Sequence, residues 1–355
     1  MIRNILITGG LGFIGSNFIR RIINNNNFNN IINIDKKTYS ANNFNLKNIS
    51  NNTYKFIKGD INSKKLIKHT LKEYKINIVV NFAAESHVDR SILNPGDFIK
   101  TNINGTFNLL SEFKNYVDKN YKFSDVKFIQ ISTDEVFGSL SKNSKKFNEN
   151  SPYLPNNPYS ASKAASDMIA RSFYKTYDFP IYITNCTNNY GPFQHPEKII
   201  PLTIQKCINK EKIPIYGNGK QIRDWIHVDD HCDGIIKIID KGKKGESYNI
   251  GSNNEITNLD LVKKICQTFQ KIDKSNFDYK NLISFVADRP GHDKRYSIDS
   301  SKISKSLGWQ PKIKFSEGLH ETIKWYINNP GWLGLKNTKN YQKWLEKNYA
   351  NRELL

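Results

Sequence analysis

N-I-L-I-T-G-G-L-G-F-I-G-S-N-F-I-R-R-I-I, residues 4–23, reads as a strand, a turn and a helix in succession. Asn4 to Thr8 is a short apolar run of the kind that forms a buried strand, and Phe18, Ile19, Ile22 and Ile23 recur on one helix face. Between them the glycines fall in two overlapping frames, G-x-x-G-x-x-G at Gly9, Gly12 and Gly15 and G-x-G-x-x-G at Gly10, Gly12 and Gly15. Such a turn lets a pyrophosphate approach backbone amides at a helix N-terminus, where the dipole favours negative charge. Glycines also serve ordinary turns, so the flanking strand and helix carry the reading.

Working outward, a second strand, Ile31 to Ile34, ends in Asp35, twenty residues after Gly15. An acid there accepts hydrogen bonds from the adenosine ribose and repels a 2′-phosphate, favouring NAD over NADP. Lys36 and Lys37 weigh the other way. A third strand, Tyr54 to Lys58, leads to Asp60, which either meets an adenine edge or caps a helix. A fourth, Ile78 to Phe82, runs into Ala83 and Ala84, small enough to admit a cofactor. The succession predicts an α/β protein, a Rossmann-type doubly wound parallel sheet with a smaller C-terminal α/β substrate-binding domain. We expect residues 1–192 in the NAD-binding domain, with roughly 228–250 returning to it, and 193–355 mainly in the other.

Chemistry is expected at F-I-Q-I-S-T-D-E-V-F-G, residues 128–138, and N-P-Y-S-A-S-K, residues 157–163. The first is a buried strand whose polar end, Ser132, Thr133, Asp134 and Glu135, opens into a crevice; a solvated turn is the plain alternative. In the second, Pro158 suits a helix start and puts Tyr159 and Lys163 on one face. An ammonium there favours the phenolate, and bringing tyrosine from about 10 to near 7 takes roughly 4 kcal/mol. Tyr159 is therefore a candidate base, although Y-x-x-x-K alone is a common accident on helices.

The 355 residues suffice for roughly two domains at about 150 residues each. The net charge of +20 comes from basic residues scattered singly, which argues against nucleic acid. Cys186, Cys207, Cys232 and Cys266 show no paired spacing, as expected of reduced thiols in the cytoplasm, and neither an export signal nor a membrane span is expected. His227 and His231 lack the glutamate of H-E-x-x-H, so no metal is expected; hydrolase-elbow and P-loop motifs are absent as well. Ile99, Ile103, Phe107 and Leu110 after Pro95, and Ala161, Ala165, Met168 and Phe173 after Tyr159, form apolar stripes suited to packing within or between chains. Residues 223–231 and 288–296 carry arginines suited to phosphate. From Trp332 onward the tail reads as loop followed by a polar helix.

T-G-G-L-G-F-I-G, D-K-K-T-Y, A-A-E-S-H-V-D-R-S, S-T-D-E-V-F-G, Y-S-A-S-K, N-N-Y-G-P and R-P-G-H-D, in that order between Ile2 and about Trp332, resemble the nucleotide-sugar 4,6-dehydratases, which are extended short-chain dehydrogenase/reductases. Phe137 departs from the tyrosine common there. The resemblance, nearest to the branch acting on dTDP-glucose with UDP-glucose as the alternative, implies a lyase of deoxysugar biosynthesis with tightly bound NAD regenerated each cycle. Tyr159 would take the sugar O4 proton as C4 is oxidised, Glu135 the C5 proton, and Asp134 would protonate the departing C6 hydroxyl before hydride returns to C6. Opposite protonation of two adjacent carboxyls is then required. Thr133 would hold O4, and Lys163 the cofactor ribose. Gly9, Gly12, Phe13, Ile14 and Gly15 would take the pyrophosphate, Asp35 and Lys36 the ribose side, Asp60 and Ile61 adenine, with Ala83 and Ala84 beside them. Asn189, Arg223 and Arg289 would bind the substrate diphosphate, Tyr216 and His292 its nucleoside, with Ser86 and His87 also on the substrate side. It implies too a homodimer joined through the two striped helices. An epimerase, a decarboxylase or a non-catalytic NAD-binding regulator would share the fold, but the Asp134–Glu135 pair speaks for dehydration. Thymine and uracil differ by one methyl, worth about 1 kcal/mol, so the motifs leave the base open.

Overall fold

The structure, a computed structural model, describes residues 3–23, 27–47, 49, 52–336, 341–344 and 346. Strands and helices alternate through the first half: β1 Asn4–Thr8, α1 Phe13–Ile23, β2 Asn30–Asp35, β3 Tyr54–Lys58, α2 Lys64–Glu73, β4 Ile78–Asn81, α3 Val88–Leu93, α4 Pro95–Phe98, α5 Thr106–Asn120, β5 Lys127–Thr133, α6 Pro158–Tyr177 and β6 Ile181–Cys186. There follow β7 Asn188–Tyr190, α7 Ile199–Asn209, β8 Ile213–Tyr216, β9 Ile222–His227, α8 Val228–Lys241, β10 Ser247–Ile250, β11 Glu255–Thr257, α9 Asn258–Asp273, β12 Ile283–Val286, α10 Ser301–Leu307, α11 Phe315–Asn328 and α12 Pro330–Lys336.

Seven strands form one parallel sheet in the order β10-β6-β5-β4-β1-β2-β3, the doubly wound arrangement expected from residues 4–23. The chain winds from β1 to one edge through β2 and β3, then crosses to the other side of β1 for β4, β5 and β6. The carboxyl ends of β1 and β4 therefore flank the point where the winding reverses, and a crevice opens there. β1 is buried on both faces: Ile5 and Ile7 share a core with Phe18 and Ile19 of α1 and Ile235 of α8, while Leu6 lies with Leu71 of α2 and Phe113 of α5. Burial from both sides is why its apolar residues are consecutive rather than alternating.

In the second half, β9 lies between β7 and β11, and β8 pairs with β12. Helices α7, α9, α11 and α12 surround a separate core that includes Ile200, Leu261, Ile323 and Trp332. β10, following α8, instead extends the main sheet beside β6.

Two local readings are overturned. The stretch after Pro95 is not one regular helix: Ile99–Gly105 is π-helical between α4 and α5. Its cause is Asn102, whose side chain accepts from Glu85 N (2.8 Å) and donates to Glu85 O (3.0 Å) and Ser162 Oγ (2.8 Å), tying the helix to the loop after β4. The tail does not begin as loop either, since Trp332 lies in α12, buried, with its indole N–H donating to Asn45 Oδ1 at 2.8 Å.

Candidate active site

A cleft at the reversal point is lined by every residue expected to hold the cofactor and every residue expected to act in catalysis. Its floor is the turn between β1 and α1. Gly9 has φ +71°, and a Cβ there would come within 2.8 Å of the Ala83 backbone; one on Gly15 would lie 2.5 Å from Gly9 O. Only glycine allows these approaches, so the cradle is shaped for a group packed directly on backbone. Asp35, at the end of β2, accepts from Leu11 N (2.9 Å) and Lys37 N (2.7 Å), which orients its carboxylate at the cleft wall. Lys36 is engaged with Asp60 (2.9 Å), so its charge is partly spent on a neighbour. Asp60 is not a helix cap: Ser63 caps α2, and Asp60 accepts from Asn62 N at 2.9 Å. Burial pushes the Asp60 carboxyl up, but Asn62 and Lys36 outweigh it and hold it below its ordinary value.

At the other end of the cleft β5 delivers Thr133, and a single 3-10 turn, Asp134–Phe137, follows directly. Gly138 ends it at φ +86°, where a Cβ would meet Leu154 O at 2.3 Å. Thr133 Oγ1 accepts from Glu135 N and donates to Asp134 Oδ1, both at 3.3 Å. Asp134 is only 2% exposed, and Asp134 Oδ2 and Glu135 Oε2 are buried with no hydrogen-bond partner among the described residues. Burial first, then the charge of Glu135, holds Asp134 well above the usual carboxylate range against the pull of Arg223. That is the direction a proton donor needs.

Tyr159 enters from α6, whose start is fixed by a capping box between Asn157 and Ser160 and by Pro158 in the first turn. The expected phenolate is not what this structure favours. Burial, then Glu135, pushes Tyr159 well above the ordinary phenol value, and a hydrogen bond with Thr133 works against them. The Lys163 ammonium does not reverse this, because Nζ donates to Ile131 O at 2.6 Å and is itself desolvated.

The expected substrate residues divide. Ser86 and Asn189 line the cleft, whereas His87, Tyr216, Arg223, Arg289 and His292 do not and form a polar group beside it. There Asp89 accepts from Tyr216 Oη (3.0 Å) and Arg289 Nη1 (3.2 Å), and His292 Nδ1 lies 2.6 Å from Asp288. Arg223 stands 4.1 Å over the Tyr296 ring and donates to Asp293 O at 3.0 Å. His87 is buried 3.4 Å from Glu197, and desolvation together with Lys198 pulls it down to about 3, so it is neutral. Arg223 and Arg289 nonetheless share the field of Glu135, and so does Lys198, which lines the cleft. Lys198 was missed in the sequence, as were Thr38, Ser40, Thr101 and His195 of the lining; only the cation six residues after N-N-Y-G-P offered a signal for phosphate. His227 caps α8 and His231 pairs with Asn189 (2.9 Å), and among the described residues no cluster could hold a metal.

The family profile described as GDP-mannose 4,6 dehydratase matches residues 6–322. A dTDP-glucose 4,6-dehydratase of Haemophilus influenzae is 50% identical over 334 residues, 92% of this chain and 98% of the relative. One of Escherichia coli K12 is 44% identical, covering 98% and 99%. Among solved structures, a dTDP-glucose 4,6-dehydratase from Streptomyces venezuelae with NAD bound superposes with TM-score 0.85 at 40% identity, covering 93% of this chain and 98% of that one. The Bacillus anthracis dTDP-glucose 4,6-dehydratase in complex with NAD gives 0.83 at 44%, covering 94% and 100%.

Proposed function

From the premise that the chain belongs to the GDP-mannose 4,6-dehydratase family, we propose that it converts dTDP-glucose to the 4-keto-6-deoxy sugar nucleotide with NAD. Relatives of that name and NAD-bound structures at 40–50% identity support the reading. The observation that carries it is the pair of adjacent carboxyls, Asp134 and Glu135, facing the same cleft as Tyr159, with Asp134 held toward its protonated form.

The cradle fits the cofactor: Gly9–Gly15 takes the pyrophosphate, Asp35 the adenosine ribose, Asp60 and Ile61 the adenine side, and Lys163 the second ribose. When bound, NAD supplies an acceptor for the C4 hydride, its return to C6, and a positive ring that favours the Tyr159 phenolate. Tyr159, steadied by Thr133, takes the O4 proton. Glu135 then takes the C5 proton, made acidic by the neighbouring ketone, Asp134 gives its proton to the C6 oxygen leaving as water, and Glu135 gives its proton back to C5 as C6 is reduced. Arg223, Arg289 and Asn189 bind the diphosphate, Tyr216 and His292 the nucleoside, and Ser86 and His87 border the sugar. Residues 1–192 with 228–250 serve the cofactor and 193–355 mainly the substrate.

Incubation with dTDP-glucose and, separately, UDP-glucose tests this. Loss of one water with a 4-keto product, faster from dTDP-glucose, is expected; a 4-epimer of unchanged mass refutes it. We further propose a homodimer through α6 and the helical segment from Pro95 through α5, because Ile99, Phe107 and Met168 on these segments are 45–51% exposed. Phe107→Lys with Met168→Glu then yields a monomer mass by light scattering, and a wild-type monomer at micromolar concentration overturns it. The four unpaired cysteines suit the cytoplasm, and among the described residues no helix is long and apolar enough to cross a membrane.

A further inference from the structure

Tyr159, Lys163 and Asp167 stand at successive four-residue steps of α6 and share the face that packs on β5 and β6. The first two line the cleft, and Asp167 does not. Its side chain is completely buried. Oδ2 accepts from the Ser132 hydroxyl (2.5 Å) and from the Tyr153 hydroxyl (3.3 Å), while Oδ1 is buried with no hydrogen-bond partner among the described residues. A carboxylate at that depth is strongly unfavourable unless a cation lies close. Lys163 is the group that most favours its ionised form. The dependence is mutual, since Lys163 is also buried, its Nζ donates to the Ile131 carbonyl, and Asp167 is first among the groups that favour its ammonium.

We propose that Asp167 is a positioning residue for this site, supplying the counter-charge that keeps the buried Lys163 an ammonium and anchoring, through Ser132, the strand end that carries Thr133. The idea rests on the role given above to Lys163. The groups facing the pair leave Asp167 as its compensating charge. Ser132 and Gln130 come from β5 and are neutral; Tyr153, from the chain before α6, is raised by burial and by Asp167; and the Cys186 thiol of β6 is pushed up to about 12 by burial. Tyr159 is likewise held as a neutral phenol. Burial lifts Asp167 itself only to about 6, so near neutral pH it is mostly ionised.

The test separates this from a merely structural carboxylate. Binding of NAD to cofactor-stripped protein, followed by calorimetry from pH 7 to 10, weakens as Lys163 loses its proton. In Asp167→Asn the decline moves to lower pH by about one unit or more, because an opposite charge has been removed. Above pH 8, kcat falls about tenfold or more with KM unchanged within about twofold, and Asp167→Glu recovers most of it. Superposed binding curves, or an activity loss uniform in pH, overturn the proposal. If Asp167→Asn alone does not fold, Lys163→Met leaves Asp167 without its cation, so its melting temperature drops relative to wild type as pH rises through 6 and beyond. Adding Asp167→Asn to Lys163→Met removes that drop; a drop that persists, or never occurs, overturns the proposal. The binding and melting measurements need no sugar nucleotide, so a failure to dehydrate dTDP-glucose would falsify the functional reading without obscuring this one.

Discussion

Asp134→Asn and Glu135→Gln separate the two carboxyls, because Asp134 is held toward the protonated form by its burial. Asp134→Asn is close to isosteric and isoelectronic with that form, so it removes a donated proton while leaving the field at Glu135 nearly as it was. Glu135→Gln removes a base. Loss of a positioned acid or base costs about 10² to 10⁴ in the step it serves, equivalent to roughly 3 to 5.5 kcal/mol at 1.36 kcal/mol per decade. Both variants keep Tyr159, Thr133 and Lys163, so oxidation at C4 survives and the reduced cofactor's absorbance appears on mixing with dTDP-glucose. With Asp134→Asn, Glu135 still enolises the 4-keto intermediate, and C5 exchanges with deuterated solvent faster than product forms. With Glu135→Gln it does not. Mass spectrometry of the recovered sugar nucleotide reads the exchange, and equal C5 deuteration in the two variants refutes the division of roles.

Gly15→Ala places a Cβ 2.5 Å from Gly9 O, an overpacking of about 1–3 kcal/mol in the cofactor cradle, so calorimetry should show NAD affinity reduced at least about tenfold; unchanged binding would remove the cradle from the cofactor site. Asp134 also sets a pH dependence of stability: its folded pKa lies above its unfolded one, so stability is lost as pH rises from the unfolded value through the raised folded value. The melting temperature of Asp134→Asn should therefore gain on wild type from pH 5 to pH 9, and a constant difference would contradict the burial effect. Arg289→Met should raise KM for the sugar nucleotide about ten- to a hundredfold with a smaller change in kcat, in keeping with about 1.5–3 kcal/mol for a charged hydrogen bond; a fall in kcat at unchanged KM would move Arg289 from binding to chemistry.

What the sequence made legible was what one segment decides for itself. β1 falls at the expected residues because a continuous apolar run declares a strand buried on both faces, β3 because Tyr54 to Lys58 alternates as a half-exposed edge strand does, and α6 starts at Pro158 because Asn157 and Ser160 cap each other three residues apart. The π-helical turn at Ile99–Gly105 was hidden because Asn102 reaches Glu85 and Ser162, 17 and 60 residues away in the chain. Lys198 was hidden for a similar reason: its place in the cleft is set by how the loop after β7 folds over Ser86, whose carbonyl accepts from Nζ at 3.2 Å. The failure at Tyr159 is of another kind. Spacing put the phenol and Lys163 on one helix face and so implied an ion pair, but spacing carries no information about depth. In the fold both groups are desolvated, Nζ is turned to a strand carbonyl, and Glu135 adds a negative charge beside the phenol. Depth acts on Asp134 as well, and burial there raises the carboxyl toward its protonated form just as it holds the phenol from ionising. On the proposed mechanism the acid of the second step is therefore held toward its donating form, whereas the base of the first needs positive charge beyond that of Lys163.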